Sequence, residues 1–116
     1  MSRVFLPQRP VVKNYGTASG GPRWLDKYDL SPAERFGPLV ELLPIGNSPS
    51  DLGSVMRHVE HGLRDFSADD HLLAVGDPVV LAIAVLVAAR RTGGQVSLLK
   101  WDRLAREYSA HRVSAA

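Results

Sequence analysis

The stretch HLLAVGDPVVLAIAVLVAARRTGG, residues 71–94, decides the fold. Its first five residues, 71–75, are mostly apolar on both faces, as expected for a buried strand. After Gly-Asp-Pro come thirteen apolar and basic residues, Val79–Arg91, which end before Thr92-Gly93-Gly94. Thirteen residues are long for a strand, and the proline start, four alanines and glycine stop favour a helix. The stretch therefore predicts a strand over 71–75 and a helix over 78–91.

The same order of signals precedes this stretch. Residues 39–43 read as a strand between two prolines, and Ile45-Gly46-Asn47-Ser48-Pro49 leads into a second helical pattern. Ser48 at the N-cap and Pro49 at the first position predict a helix over 49–65. One face of that helix carries the apolar residues Leu52, Val55, Met56, Val59 and Leu63.

The ends of the chain extend this pattern. Residues 3–6 predict a short strand that stops at Pro7, and residues 96–101 predict another strand. Residues 107–113 return as an antiparallel strand, with a C-terminal helix from Arg103 as the alternative. Residues 7–37 form a long Pro/Gly-rich loop segment, in which the capping box Ser31-Pro32-Ala33-Glu34 predicts one helical turn.

Strand–helix–strand order predicts a single α/β domain over residues 1–116. We expect a small Rossmann-like β-α-β-α-β sheet of four or five strands with a C-terminal antiparallel hairpin. Residues 39–43, 71–75 and 96–101 are expected to be parallel neighbours. The helix over 78–91 has no polar face and needs a cover, either a second copy of the chain or the N-terminal loop. We favour the loop, through Trp24, Leu25 and Tyr28.

Composition excludes several classes of protein. The 116 residues include no cysteine, so a disulfide scaffold, a zinc ribbon, an iron–sulfur site and a cysteine nucleophile are excluded. The longest apolar run, Val79–Ala89, has 11 residues and is too short to span a bilayer. The N-terminal apolar run is too short for a signal peptide. We expect no cofactor and no membrane association.

The two strand-to-helix turns form the first candidate site. In a parallel sheet both turns lie at the end where open α/β folds bind ligands. Free N–H groups at helix starts suit an anion such as phosphate, although both turns also read as ordinary caps. Neither turn has a Gly-rich phosphate fingerprint, and Asp77 would repel a phosphate. The candidate ligand-binding residues are Gly46, Asn47, Ser48, Gly76 and Asp77.

The basic C-terminal third forms the second candidate site. Residues 90–116 carry six Lys/Arg against two Asp/Glu. Phosphate contacts combined with aromatic stacking are typical of single-stranded nucleic-acid binding. Alternatively, arginines at a helix end stabilise the dipole, and Trp101 and Tyr108 pair across a hairpin. The candidate nucleic-acid-binding residues are Arg90, Arg91, Lys100, Trp101, Arg103 and Arg106.

The remaining polar residues predict neither a metal site nor a catalytic site. His58 and His61 lie one turn apart on a helix, but no third metal ligand is placed, so we expect exposed histidines and no metal site. Asp69 and Asp70 read as a solvated acidic turn. No serine has a nucleophile-elbow context, so no catalytic residue is predicted.

A set of short motifs resembles small proteins of tailed bacteriophages that have no established activity. The motifs are residues 70–78 (DHLLAVGDP), Gly93-Gly94, residues 98–103 (LLKWDR) and Tyr108, and the opening residues 2–8 (SRVFLPQ) are similar in style. The resemblance covers about residues 36–110. It implies a viral origin and the cytoplasm of an infected bacterium, and it assigns no site residue.

These observations favour a non-enzymatic phage accessory or host-modulating protein that binds a host or phage protein. Trp24 and Tyr28, in the long loop segment, are the candidate partner-binding residues. The alternatives are an anion or nucleotide binder at the paired turns and a nucleic-acid binder through the basic C-terminal third. Both a monomer and a homodimer fit the sequence.

Overall fold

The computed structural model describes residues 2–14 and 23–115. Seven strands, two α-helices and one 3-10 helix lie within these ranges. The strands are β1 (Val4–Gln8), β2 (Val11–Asn14), β3 (Arg23–Asp26), β4 (Leu39–Leu43), β5 (His71–Leu73), β6 (Gln95–Asp102) and β7 (Glu107–Ser114). The helices are α1 (Leu52–Gly62), α2 (Pro78–Thr92) and the 3-10 helix Ser31–Phe36.

The main sheet has five strands in the order β4-β1-β5-β6-β7. The first four strands are parallel, and β7 is antiparallel to β6, so the predicted C-terminal hairpin is confirmed. The predicted pairing of β5 with β6 is also confirmed. The strands β2 and β3 form a separate antiparallel hairpin.

The prediction that β4 and β5 are neighbours is wrong, because β1 lies between them. Phe5 of β1 is in register with Val40 on one side and with Leu72 on the other. Val4, Phe5 and Leu6 are all buried, and a strand that is apolar on both faces gains more from an interior position than from the edge of the sheet. The strand also continues through Pro7 to Gln8, which is in register with Leu43 of β4.

Two layers cover the two faces of this sheet. Phe5 and Leu72 pack with buried residues of α1 and α2 on one face. On the other face Leu6, Leu73 and Leu99 pack with the segment that contains the 3-10 helix. The connection from β1 to β4 therefore covers one face and the two helical connections cover the other. Each face has its own apolar core.

The helix boundaries correct two predicted caps. The helix α1 begins at Leu52, and its N-cap is Asp51, whose carboxylate accepts the Ser54 N–H at 3.2 Å. Ser48 instead accepts a hydrogen bond from the Ser50 N–H, so the chain makes one more turn before the helix begins. A charged carboxylate is the stronger acceptor for helix N–H groups, which favours the later start.

The predicted capping box at Ser31 is also wrong, although the helical turn exists. Leu30 is at the N-cap position without a side-chain hydrogen bond, and the Ser31 N–H donates to Asp29 Oδ1. The helix α2 follows the prediction. Asp77 accepts the N–H groups of Val79 and Val80, and Gly93 ends the helix in the left-handed conformation.

Trp24, Leu25 and Tyr28 do not cover α2, so the expectation that they do is wrong. Trp24 and Leu25 belong to β3, whose pairing with β2 holds them in a hairpin, and both remain about half-exposed. The segment after this hairpin packs on the sheet face opposite to α2. Val79 and Leu86 of α2 are exposed as a result. Gly16, Thr17, Ala18, Ser19, Gly20 and Gly21, on which the loop prediction rested, lie outside the described residues.

A buried carboxylate fixes the start of β1 beside β5. Asp70 is fully buried, which corrects its prediction as part of a solvated turn. It accepts hydrogen bonds from the Arg3 backbone and guanidinium and from the Ser67 N–H, each at 2.9 Å. Burial alone would raise the pKa of Asp70, but the hydrogen bonds from Arg3 and Ser67 outweigh it and hold that pKa below its usual range. Arg3 also contacts Asp65 at 3.2 Å.

Replacing Asp70 tests how much this network stabilises the fold. The substitution Asp70→Asn removes the charge and leaves donors of Arg3 and Ser67 without their acceptor. We expect a loss of about 3 kcal/mol in the free energy of unfolding, measured by urea denaturation. The matched control is Asp69→Asn at the exposed neighbouring position, with an expected change below about 0.5 kcal/mol. Equal effects of the two substitutions would contradict a stabilising role for the network.

Candidate functional site

The carboxyl ends of three parallel strands open into a cleft. The chain after β1 leads to one face of the sheet, whereas the chains after β4 and β5 lead to α1 and α2 on the other face, so the connections diverge at the end of β1 and leave space between them. The hairpin β2–β3 forms the outer wall of this first cleft, which has a volume of about 590 Å³. Residues that line it include Gln8, Arg9, Trp24, Lys27, Tyr28, Gly46, Asn47 and Gly76.

Close packing of the β5–α2 turn against β1 shapes the floor of the first cleft. Gly76 has a φ of +91°, and a Cβ there would lie 2.8 Å from the Gln8 carbonyl oxygen. Both the positive φ and the lack of space for a Cβ atom require glycine at this position. Beside it, Gln8 Oε1 accepts the Asp77 N–H at 2.8 Å, which ties the end of β1 to the start of α2.

Arg9 anchors the outer wall of the first cleft. Its Nε donates to Glu41 of β4 at 2.8 Å, and its guanidinium contacts Asp26 of β3 at 3.3 Å. Burial alone would lower the pKa of Arg9, but the hydrogen bonds to Glu41 and Asp26 raise it, so the side chain remains charged. This bridge holds the hairpin β2–β3 against the edge strand of the sheet.

A second cleft of about 640 Å³ adjoins the first. The two share Tyr28, Ala74 and Val75, so together they form one surface at the carboxyl end of the sheet. Lys100, Trp101 and Arg103 bring the end of β6 into this surface. We call the linings of both clefts the carboxyl-end surface.

The pairing of Trp101 with Tyr108 across the β6–β7 hairpin is confirmed. The two residues are in register, and their rings meet edge to face with centroids 5.1 Å apart. Tyr108 is buried, and burial, aided by the Asp29 charge, raises the pKa of its phenol. Trp101 keeps part of its ring exposed, so the buried Tyr108 ring holds an accessible Trp101 ring in a fixed position.

The structure brings together only part of the predicted turn site. Gly46, Asn47 and Gly76 line the first cleft with Trp24 and Tyr28. Ser48 and Asp77 lie outside it, in a shallow depression between the starts of α1 and α2. The carboxylates of Asp51 and Asp77 accept N–H groups at those helix starts, where a bound anion would need them. Anion binding at the paired turns stays a prediction.

The predicted nucleic-acid-binding residues divide between opposite ends of the sheet. Lys100, Trp101 and Arg103 line the carboxyl-end surface, and Arg106 lies in the same β6–β7 turn. Arg90 and Arg91 are in the last turn of α2, which runs back toward the other end of the sheet. Arg90 forms an ion pair with Glu60 of α1 at 3.2 Å.

The histidines His58 and His71 lie within hydrogen-bond distance of neighbouring polar side chains. His58 Nε2 is 3.0 Å from the Asn47 amide, which helps to orient one wall of the first cleft. His71 Nδ1 is 2.7 Å from Ser97 Oγ at the other end of the sheet. Burial lowers the pKa of His71. The negative charges of Asp70 and Asp69 act to raise that pKa and the positive charge of Arg112 acts to lower it, and the net shift is downward.

The described part of the chain has neither a cluster of metal-binding side chains nor a helix suited to a bilayer. In residues 2–14 and 23–115, no three His, Asp or Glu side chains lie close enough together to hold a metal ion. No helix within those ranges has the length and hydropathy required to cross a bilayer.

Sequence reasoning missed Arg9 and Lys27. Both line the first cleft because β2 and β3 pair, and that pairing joins residues on either side of 15–22. The alternation of residues in β2 and β3 is too short to signal a hairpin without knowing the turn. Arg9 carries the clearer signal, since it follows β1 directly and therefore must lie at the carboxyl end of the sheet.

Comparison with known proteins gives one family. The family described as Phage Pam3 gp32-like protein matches residues 2–115, nearly the whole chain. No curated protein and no solved structure matches the chain.

Proposed function

We propose that this chain, which belongs to the Phage Pam3 gp32-like protein family, is a non-enzymatic phage accessory protein that binds another protein. The binding site is the carboxyl-end surface, and the setting is the cytoplasm of the infected bacterium. The partner is a host or phage protein that presents an acidic segment with apolar side chains.

Exposed aromatic side chains are the observation that carries this proposal. Trp24, Tyr28 and Trp101 are 48%, 56% and 40% exposed, and all three line the carboxyl-end surface. Tryptophan and tyrosine are the residues most often found at the energetic centre of protein interfaces. Their large, rigid rings bury much apolar area at a small cost in conformational entropy.

The charges around these rings support an acidic partner. Lys27, Lys100 and Arg103 line the same surface, and among the described residues none of them has a carboxylate at ion-pair distance. The Lys27 ammonium lies 5.5 Å from the Tyr28 ring centroid, which keeps a cation beside an aromatic face. Complementary charge raises the rate of association and selects between partners.

Capture of the partner by the wild-type chain and by variants of the carboxyl-end surface tests this function. The tagged full chain is incubated with nuclease-treated lysate of infected bacteria, and bound proteins are quantified by mass spectrometry. Because hot-spot truncations cost about 2 kcal/mol or more, we expect Trp24→Ala and Tyr28→Ala each to reduce capture of one protein at least ~10-fold. The control is Val113→Ala, which truncates a half-exposed side chain at the far end of the β6–β7 ladder.

Two results would contradict protein binding at this surface. One is capture that Trp24→Ala and Tyr28→Ala leave unchanged. The other is capture that occurs in a parallel incubation with untreated lysate and is lost in the nuclease-treated lysate, which would favour a nucleic acid at the same aromatic and basic residues.

The first cleft favours a second candidate function, the binding of an anionic nucleotide. Its place at the end of β1, between strands whose connections diverge, is where Rossmann-like folds hold nucleotides. The exposed ring of Trp24 offers a stacking surface for a base, and Lys27 offers a cation for a phosphate. Gly46 has open space where a side chain would lie.

Adenosine monophosphate is the probe for this second function. At millimolar concentration we expect it to shift the amide resonances of Gly46, Asn47 and Gly76 in an NMR titration. The Val79 amide serves as the internal control, because Asp77 already accepts its N–H at 2.8 Å. Unshifted cleft amides, or equal shifts over the whole chain, would exclude a nucleotide site in the first cleft.

A further inference from the structure

We propose that the exposed face of α1 and α2 binds a second copy of this chain and forms a two-fold dimer. This face lies on the side of the sheet formed by the helical connections and is separate from the carboxyl-end surface. Leu86 of α2 is 67% exposed and Val79 is 51% exposed. On α1, Leu52 is 50% exposed and Met56 is 36% exposed.

These apolar side chains form a continuous stripe along the groove between the two helices. Leu52 and Val79 line the same shallow depression at the helix starts. At the far end, Glu60 and Arg90 meet in an ion pair at 3.2 Å. Met56 is one turn from both Leu52 and Glu60, while Ile83 and Leu86 lie between Val79 and Arg90. We call this stripe the helix seam.

Opposite charges lie at the two ends of the helix seam. The helices α1 and α2 run in the same direction, because each follows the carboxyl end of a parallel strand. Their N-caps are carboxylates, Asp51 and Asp77. The other end carries the arginines Arg64, Arg90 and Arg91 together with the carboxylates Glu60 and Asp65. Asp65 is already paired with Arg3 at 3.2 Å, which leaves a basic excess at that end.

This pattern is complementary to itself, which identifies the occupant as a second copy. A two-fold axis across the middle of the helix seam reverses the helices of the partner copy. The apolar centres then meet each other, and the acidic end of each copy faces the basic end of the other. An isologous interface requires this self-complementarity, because the same surface is used by both subunits. Burial of the apolar centre provides the stabilisation, and the charges fix the antiparallel direction.

Sedimentation of the full chain tests the dimer. We expect twice the monomer mass at micromolar concentration and the monomer mass for Leu86→Glu, whose added charge would be buried at the interface. The matched control is Leu104→Glu, at a residue 97% exposed in the β6–β7 turn, which leaves the dimer intact. A monomeric wild-type chain, or a dimer that survives Leu86→Glu, would overturn the proposal.

Two further variants separate loss of the interface from loss of the fold. Ala82→Arg adds a long cation to the exposed face of α2, one turn from both Val79 and Leu86, and we expect it to give a folded monomer. Arg90→Glu removes basic charge from the end of the helix seam where Arg90 meets Glu60, and we expect it to weaken dimerisation at least ~5-fold at low salt, with little effect at high salt. A dimer insensitive to both variants would exclude the helix seam as its interface.

Discussion

The buried carboxylate of Asp70 is the constraint on which the arrangement of the sheet depends. It accepts hydrogen bonds from the backbone and side chain of Arg3 and from Ser67, so it joins the first strand to the segment that precedes β5. A buried charge without these donors would be costly, whereas with them it favours one position of β1 over the alternatives. Since β1 lies between β4 and β5 and the chain after it leaves toward the opposite face of the sheet from α1 and α2, the first cleft opens at the carboxyl end of β1.

The local elements could be predicted from the sequence, but their order in the sheet could not. Periodicity and punctuation predicted β4, β6 and α2 to within about a residue at each end, because proline, glycine and apolar runs act locally. The position of β1 between β4 and β5 depends on Asp70, which lies 67 residues from Arg3 and looked like part of a solvated turn. No local signal distinguishes a carboxylate that will be buried with an arginine from one that remains in water.

The candidate site illustrates the same limit. Gly46, Asn47 and Gly76 were placed correctly at one end of the sheet, because the carboxyl ends of parallel strands must lie together. Trp24 and Tyr28 were chosen as aromatic residues of the long loop segment, but their position beside those turns follows from the hairpin β2–β3 and the Arg9 bridge. The same hairpin keeps Trp24 and Leu25 away from α2, and the side chains of the helix seam and of the carboxyl-end surface are exposed.

The central claim is that β1 lies between β4 and β5. Interstrand nuclear Overhauser effects in an isotope-labelled sample test it directly. We expect backbone contacts from Phe5 to Val40 and from Phe5 to Leu72, since those residues are in register on its two sides. Direct contacts between residues 39–43 and 71–73, with β1 at the margin of the sheet, would contradict the account.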